Sequence, residues 1–193
     1  FTGDVYATNL DVEGTGTVNL GGDFTGTAIR YNADGTVVVA TGNDVNSAIT
    51  NNTGTDSQGT LTLNGSSTVT GQVGASGTSL KAINAGANSS TSTFNSDVYV
   101  TNLNMTGSGT VILNSDLTGN VVATGANQGI LTLAGGTQTV TGQVGTNANK
   151  LAEVNAGNGT STFANNVYAT YLDVEGTGTV NLDGDFTGTA IRY

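Results

Sequence analysis

The end of this chain repeats its beginning. Residues 163–193 match residues 1–31 at 31 − 5 = 26 positions, and the offset between the two copies is 163 − 1 = 162. A compact globular domain has no reason to return to its opening sequence, whereas a tandem array of stacked units does. We therefore expect residues 1–193 to be a single continuous segment, made of one full repeat (residues 1–162) and the opening of the next (residues 163–193).

A diverged third copy of the opening block begins at Phe94. Its offset from the first copy is 94 − 1 = 93, and the last copy follows at an offset of 163 − 94 = 69. Because 69 is three times 23 and 93 is close to four times 23, we expect about 23 residues per rung and about seven rungs in one repeat. A stack of this kind tolerates the gain or loss of whole units, since each unit contacts only its neighbours.

These spacings also predict which side chains form the core. Each copy of the block contains a short apolar run with Val and Leu two positions apart. We expect the Val residues to point inward in one row and the Leu residues in a second. The first row is Val18, Val111 and Val180, and the second is Leu20, Leu113 and Leu182.

The local sequence predicts strands and no helix. Short runs such as Thr17–Leu20 and Thr110–Leu113 alternate apolar with polar residues, and Gly, Asn, Asp and Ser separate them. A sandwich or a closed barrel has no need for long-range repetition. Complete absence of Pro suits a ladder in which every strand has neighbours on both sides. We therefore predict an all-β fold, a parallel β-helix (β-solenoid) that winds to the right.

The charge balance excludes some partners. The chain has 14 acidic and 4 basic residues, and its net charge is −10. Nucleic-acid binding requires clusters of basic side chains, and an anionic membrane surface attracts them, so both partners are excluded. No apolar run is long enough to span a bilayer, and we expect no membrane insertion by this segment.

Catalytic groups are scarce. The chain has no His and no Cys, so His-assisted nucleophiles and the usual zinc ligands are absent. Glycan-cleaving enzymes need paired carboxylates, and the third copy of the block carries Asn104 and Thr106 in place of its acidic pair. We therefore expect no catalytic residues, no enzyme activity and a solvated rim of carboxylates. The carboxylates in question are Asp11, Glu13 and Asp23, with their copies Asp173, Glu175 and Asp185.

Oxygen-rich turns raise the possibility of calcium. Three turns contain Asp beside Asn or Gly, at residues 32–35, 42–44 and 182–185. None matches the loop of an EF-hand or the nonapeptide of calcium-binding β-rolls. We expect these residues to serve as turns, with no metal and no cofactor. Pairs of Thr two positions apart invite an ice-binding hypothesis, but neighbouring units do not carry them at a constant position.

Two related blocks resemble a known family. The run VTGQVG occurs at Val69 and at Val140, and each copy leads through an Asn/Ser-rich stretch to I/V-N-A-G, with GTSTF closing the second block. The pattern is similar to the repeat blocks in passengers of rickettsial outer-membrane autotransporters, over about half of the chain. Gln72 and Gln143 depart from an acidic position in that pattern, and Phe94 and Phe163 close the blocks. The resemblance implies a β-helical stalk or adhesin on a bacterial cell surface.

These observations together favour a structural protein. We expect an extracellular, cell-surface filament segment that continues into copies of itself, joined covalently or stacked end to end, and that contacts host or neighbouring cells. Two other classes stay open at this point. A glycan-binding or glycan-processing phage or secreted β-helix would need an unrepeated carboxylate site, and an ice-binding solenoid would need one regular Thr face.

Overall fold

The chain folds entirely as β-structure. The computed structural model describes residues 1–193, which form 21 strands and no helix. The strands are β1 (Val5–Tyr6), β2 (Asn9–Val12), β3 (Thr17–Leu20), β4 (Phe24–Tyr31), β5 (Thr36–Val39), β6 (Val45–Asn51), β7 (Thr60–Leu63), β8 (Ser67–Val69), β9 (Leu80–Ala85), β10 (Thr91–Phe94), β11 (Val98–Met105), β12 (Thr110–Leu113), β13 (Leu117–Ala123), β14 (Ile130–Leu133), β15 (Thr137–Val140), β16 (Leu151–Ala156), β17 (Thr160–Phe163), β18 (Val167–Val174), β19 (Thr179–Leu182), β20 (Phe186–Thr187) and β21 (Ala190–Arg192).

Hydrogen bonds join these strands into a twelve-stranded and a nine-stranded sheet. Every pairing between strands is parallel, and each interior strand pairs with a strand in the coil before it and with a strand in the coil after it, whereas strands of the end coils pair on one side only. Long strands such as β4 and β11 bend round a corner, where their register shifts. The predicted β-solenoid is confirmed. Its right-handed winding stays a prediction.

Partner residues one coil apart trace three faces up the stack. The first face carries Val5, Phe24, Val45, Val69, Phe94, Leu113, Leu133, Ala156 and Val174. The second carries Leu10, Ile29, Ile49, Val73, Val98, Leu117, Val140, Phe163 and Leu182. The third carries Val18, Val37, Leu61, Ile83, Leu103, Val121, Val144, Val167 and Phe186. Each face has nine members, so the chain makes nine coils, which we number 1 to 9.

The coils are shorter than the sequence spacings predicted. From one coil to the next, the third face advances by 121 − 103 = 18 positions at the least and by 61 − 37 = 24 positions at the most. Over its eight steps it advances by 186 − 18 = 168 positions, a mean of 21 per coil. Each face with its corner therefore uses about seven residues.

The three block copies do not stack in one row, and that expectation was wrong. Val18 lies on the third face of coil 1, Val111 on the first face of coil 6, and Val180 on the second face of coil 9. The offset of 93 corresponds to 13 faces and the offset of 69 to 10 faces. The full repeat, residues 1–162, thus consists of 23 faces of about seven residues each. The sequence offsets had instead predicted about seven coils of about 23 residues each.

The same residues do point inward. Thirty-seven buried apolar side chains form one continuous core cluster, and it includes Val111, Leu113 and Leu20. Val18, Val180 and Leu182 pack against this cluster but are only partly buried, because they lie in the two end coils. In the interior coils, strands such as β7 and β12 alternate half-exposed and buried residues, as expected for a narrow column with one face inside.

Corner side chains satisfy backbone groups of the neighbouring coil. The Asp23 carboxylate accepts a hydrogen bond from the Asp44 backbone N–H at 2.8 Å, and the Asp44 carboxylate accepts one from Thr68 N–H at 2.7 Å. Corner Asn side chains also bond to each other across coils, since Asn114 Nδ2 donates to Asn95 Oδ1 at 2.8 Å. These contacts explain the Asn- and Asp-rich turns as part of the stacking.

Candidate functional site

The first carboxylate pair is used in contacts between coils. Asp11 accepts two hydrogen bonds from the Arg30 guanidinium, each at 2.6 Å, and Glu13 accepts one from Asn32 Nδ2 at 2.8 Å. The guanidinium lowers the pKa of Asp11, and the carboxylate in turn raises the pKa of Arg30. The two carboxylates therefore hold different partners on the next coil and do not converge on one point.

The last copy of the block builds a larger version of this ion pair. Arg192 donates to both Asp173 oxygens and, at 2.8 Å, to Glu153. Its guanidinium also lies over the Tyr171 ring, 4.0 Å from the centroid. These contacts raise the pKa of Arg192, with the Asp173 hydrogen bond as the main cause. Since Asn9 stands where the last copy has Tyr171, the stacked aromatic contact belongs to the last copy.

The remaining predicted carboxylates lie apart from this ion pair. Asp23 holds the corner described above, and its copy Asp185 donates its backbone N–H to Asn166 Oδ1 at 2.9 Å. Glu175 borders an open groove of about 460 Å³ that is lined largely by glycine and alanine at residues 134–136 and 157–159. The structure thus brings Asp173 together with Arg192 and leaves Glu175 and Asp185 at separate places.

The oxygen-rich turns are also occupied by protein partners. The Asp34 carboxylate accepts hydrogen bonds from Lys81 Nζ at 2.8 Å and from the Gly59 backbone N–H at 3.1 Å. Contact with Lys81 is the main reason that the pKa of Asp34 is lowered. No group of three or more His, Cys, Asp or Glu side chains converges in a way that could hold a metal ion.

Two pairs of partly exposed loops lie between strands, after β6 and β8 in one pair and after β13 and β15 in the other, and no sequence motif predicted them. Lobe 1 consists of residues 52–58 and 74–79, and lobe 2 consists of residues 124–128 and 145–150. Each lobe is therefore two loops from successive coils. The lobes share a left-handed backbone at equivalent positions: Ser57 (φ 63°) and Asn127 (φ 54°), Gly59 (φ 82°) and Gly129 (φ 77°), and Gly74 (φ 65°) and Gly145 (φ 68°).

Lobe 1 is held by hydrogen bonds between its two loops. The Ser57 backbone N–H donates to Ser79 O at 3.1 Å, and the Ser57 hydroxyl contacts the Thr101 hydroxyl at 2.7 Å. The Asp56 carboxylate accepts from the Ser79 hydroxyl and the Ser79 N–H, both at 2.6 Å. These two bonds lower the pKa of Asp56.

Lobe 2 repeats this arrangement. The Asn127 backbone N–H donates to Lys150 O at 2.9 Å, and the Thr170 hydroxyl donates to Asn127 Oδ1 at 2.8 Å. Two substitutions give the lobes different charges. Ala126 stands where lobe 1 has Asp56, and Lys150 stands where it has Ser79. Lys150 makes no ion pair, unlike the other three basic residues.

A shallow groove runs beside lobe 1. It has a volume of about 210 Å³ and is lined by Asp56, Tyr99, Thr101 and Thr118 together with the tip of the 74–79 loop. Tyr99 is half-buried, as is Tyr168, which occupies the same position of the block beside lobe 2. The recurrence of QG at Gln58 and Gln128, before equivalent LTL strands, was the signal that could have revealed the lobes.

Threonine does not form a uniform face. On the second face, Thr137 and Thr139 stack under Thr160 and Thr162, and the next coil carries Asn181 at one of these positions. Elsewhere, outward positions of the ladders mix Thr with Asn, Val, Ile and Glu.

The structure contains no helix with the length and hydrophobicity needed to cross a bilayer. Comparisons with protein-family models, with curated proteins and with solved structures found no match. The resemblance to rickettsial autotransporter passengers therefore stays an expectation from sequence, and we base the functional proposal on the solenoid itself.

Proposed function

We propose that this chain is a structural, non-enzymatic segment of a long repetitive fibre on a bacterial surface. One observation carries the proposal: the first and last copies of the block build the same local structure. Val5 pairs with Phe24, and Val167 pairs with Phe186, with the same offset of 24 − 5 = 186 − 167 = 19 in both cases. The solenoid thus passes from one repeat into the next with its ladder and its core uninterrupted.

The ion pairs repeat as well. Arg30 binds Asp11 and Arg192 binds Asp173, each across one coil. Residues that follow Tyr31 would therefore fold in the same way after Tyr193, since the supporting coil is the same. Partners in this proposal are further copies of the repeat, joined covalently or stacked end to end, and host or neighbouring cells.

The surface supports an extracellular, mechanical role. A net charge of −10 keeps such a fibre soluble and discourages lateral clumping. Carboxylates that could serve in catalysis are engaged by Arg30, Arg192 and Asn32. An adhesin stalk needs length and continuity, and a stack in which each coil contacts only its neighbours provides both.

A tandem protein tests the array. It would carry residues 1–162 three times, followed by residues 1–31. Its three repeats form 23 coils, or about 110 Å at about 4.8 Å per coil, and the final 31 residues add more than one further coil. Electron microscopy should show one thin unbranched rod in which each repeat adds about 37 Å. Three particles joined by flexible connections would overturn the proposal.

A second measurement tests location. Antibodies raised against residues 1–193 should label intact cells of the source organism without permeabilisation. Labelling that appears only after the cells are opened would contradict a surface fibre while leaving the array itself standing.

A further inference from the structure

The two lobes lie on different corners of the solenoid. Lobe 1 lies between the second and third faces, since its loops connect Ile49 to Leu61 and Val73 to Ile83. We name this position corner 2/3. The other two corners are corner 3/1 and corner 1/2.

Lobe 2 lies on corner 3/1. Its loops connect the third face to the first, from Val121 to Leu131 and from Val144 to Val154. Equivalent positions of the two lobes have an offset of 129 − 59 = 70, measured at Gly59 and Gly129. This offset spans ten faces, or three and one-third coils, so the second lobe is turned by one corner from the first.

We infer that the fibre presents its lobes in a threefold spiral, with each successive lobe one corner further round the axis. The inference rests on the proposed array. One repeat is 23 faces, which is seven and two-thirds coils, so the next lobe 1 lies on corner 1/2 and the next lobe 2 on corner 2/3. After three repeats, or 23 coils, lobe 1 returns to its starting corner.

The spiral determines which lobes a binding partner can contact. Along any one corner, lobe 1 and lobe 2 alternate, separated by 11 and then 12 coils. At about 4.8 Å per coil these distances are about 53 and 58 Å. A flat partner, such as a cell surface lying along one corner of the fibre, therefore reaches one lobe in three. Each of the three corners presents the same number of lobes per unit length of fibre.

The alternation also sets a charge pattern. Lobe 1 carries the Asp56 carboxylate, and lobe 2 carries the Lys150 ammonium, which has no acidic partner. Each corner of the fibre thus alternates an acidic and a basic lobe. Where two parallel copies of the fibre meet along the same corner, an offset of 11 or 12 coils brings unlike lobes together, whereas alignment in register brings like lobes together.

Site-specific labels on the three-repeat protein test the spiral. Ser76 lies exposed at the tip of lobe 1, and Asn147 occupies the equivalent exposed position in lobe 2. Because the chain has no Cys, Ser76→Cys in each repeat can be biotinylated uniquely and marked with streptavidin. Electron microscopy should show three marks on three different sides, about 37 Å apart along the rod.

A matched variant carries Ser76→Cys in the first repeat and Asn147→Cys in the second. Both marks lie on corner 2/3 and should emerge from the same side, about 53 Å apart.

The outcomes separate the two proposals. Ser76 marks that all emerge from one side, or a Ser76–Asn147 pair on different sides, would overturn the spiral while the rod itself upheld the array. Separate particles in place of a rod would overturn the array and the spiral together.

Discussion

The middle and end copies of one sequence block occupy very different surroundings. In the middle copy, Val111 and Leu113 are almost completely buried, at 0% and 1% exposure. Their counterparts at the end of the chain, Val180 and Leu182, pack against the same core and stay half-exposed. Because the local sequences are nearly the same, burial here comes from having a coil on both sides. Stability in this fold is a property of neighbours more than of any single unit.

The largest expected effect comes from a charge placed in the middle of the column. Val111→Asp should destabilise the protein by about 4 kcal/mol, because the carboxylate would have no partner and no water. Val18→Asp, at the equivalent position in the first copy of the sequence block, should cost about 1 kcal/mol or less, since that position is half-exposed. Urea unfolding followed by circular dichroism measures both. Equal losses would show that the end coils are as well supported as the middle.

A glycine of the block gives the next largest difference. A Cβ on Gly119 would lie 1.8 Å from Val100 O on the neighbouring coil, and Gly119 has a φ of +142°. Gly119→Ala should therefore cost about 3 kcal/mol. At Gly26 in the first copy, the Cβ would lie 2.0 Å from Ala7 O, but Ala7 belongs to the end coil and can move.

We expect Gly26→Ala to cost about 1 kcal/mol. Thermal unfolding of the two variants beside the parent protein provides the check. A Gly119→Ala protein as stable as its parent would mean that the coils are spaced more loosely than described here.

Corner carboxylates should show a smaller contrast. Asp116 accepts a hydrogen bond from the Thr139 N–H at 2.8 Å, whereas Asp185, its copy in the last coil, accepts no such bond. Asp116→Ala should destabilise by about 1 kcal/mol, and Asp185→Ala by less than about 0.5 kcal/mol. Asp116→Asn keeps an acceptor oxygen and should recover most of the loss. Failure of Asn to do so would assign the effect to charge and not to the hydrogen bond.

Removal of divalent cations should not change the thermal stability of the middle coils or of the end coils. The Asp34 and Asp44 carboxylates already accept hydrogen bonds from protein groups. Differential scanning calorimetry with and without a chelator should give the same Tm within about 2 °C. A fall of more than about 10 °C, several times the shift expected from 1 kcal/mol in a chain of this size, would show that these turns bind metal.

Sequence alone was enough for the fold class and for the direction of the core side chains. Alternation of apolar and polar residues and the long tandem repeat pointed to a parallel stack, and Val111 and Leu113 are indeed inside. The rung length was overestimated because the offsets of 69 and 93 were divided into whole coils. In the structure these offsets correspond to three and one-third coils and to four and one-third coils, so they end on different faces. A sequence offset by itself does not show whether it spans a whole number of coils.

The contacts of the carboxylates were harder to foresee. Asp11 and Arg30 are separated in sequence by 30 − 11 = 19 positions, and only the true coil length places them side by side. Lobe 1 depends on Ser57 adopting a positive φ, which a sequence of polar residues does not specify. Both features follow from how one coil lies on the next. A search for local motifs therefore misses them, although the repeat contains every residue involved.

The count of seven residues per face has a consequence for how such a gene can change. A deletion or duplication of about seven residues that removes or adds one face leaves the hydrophobic alternation intact, yet it rotates everything downstream by one corner. Loops at the corners, by contrast, lengthen without rotating anything, as the lobes already show. Recombination between similar blocks can therefore leave the axis and the core of the solenoid continuous. It changes the side of the fibre from which each downstream loop emerges, in steps of one-third of a turn.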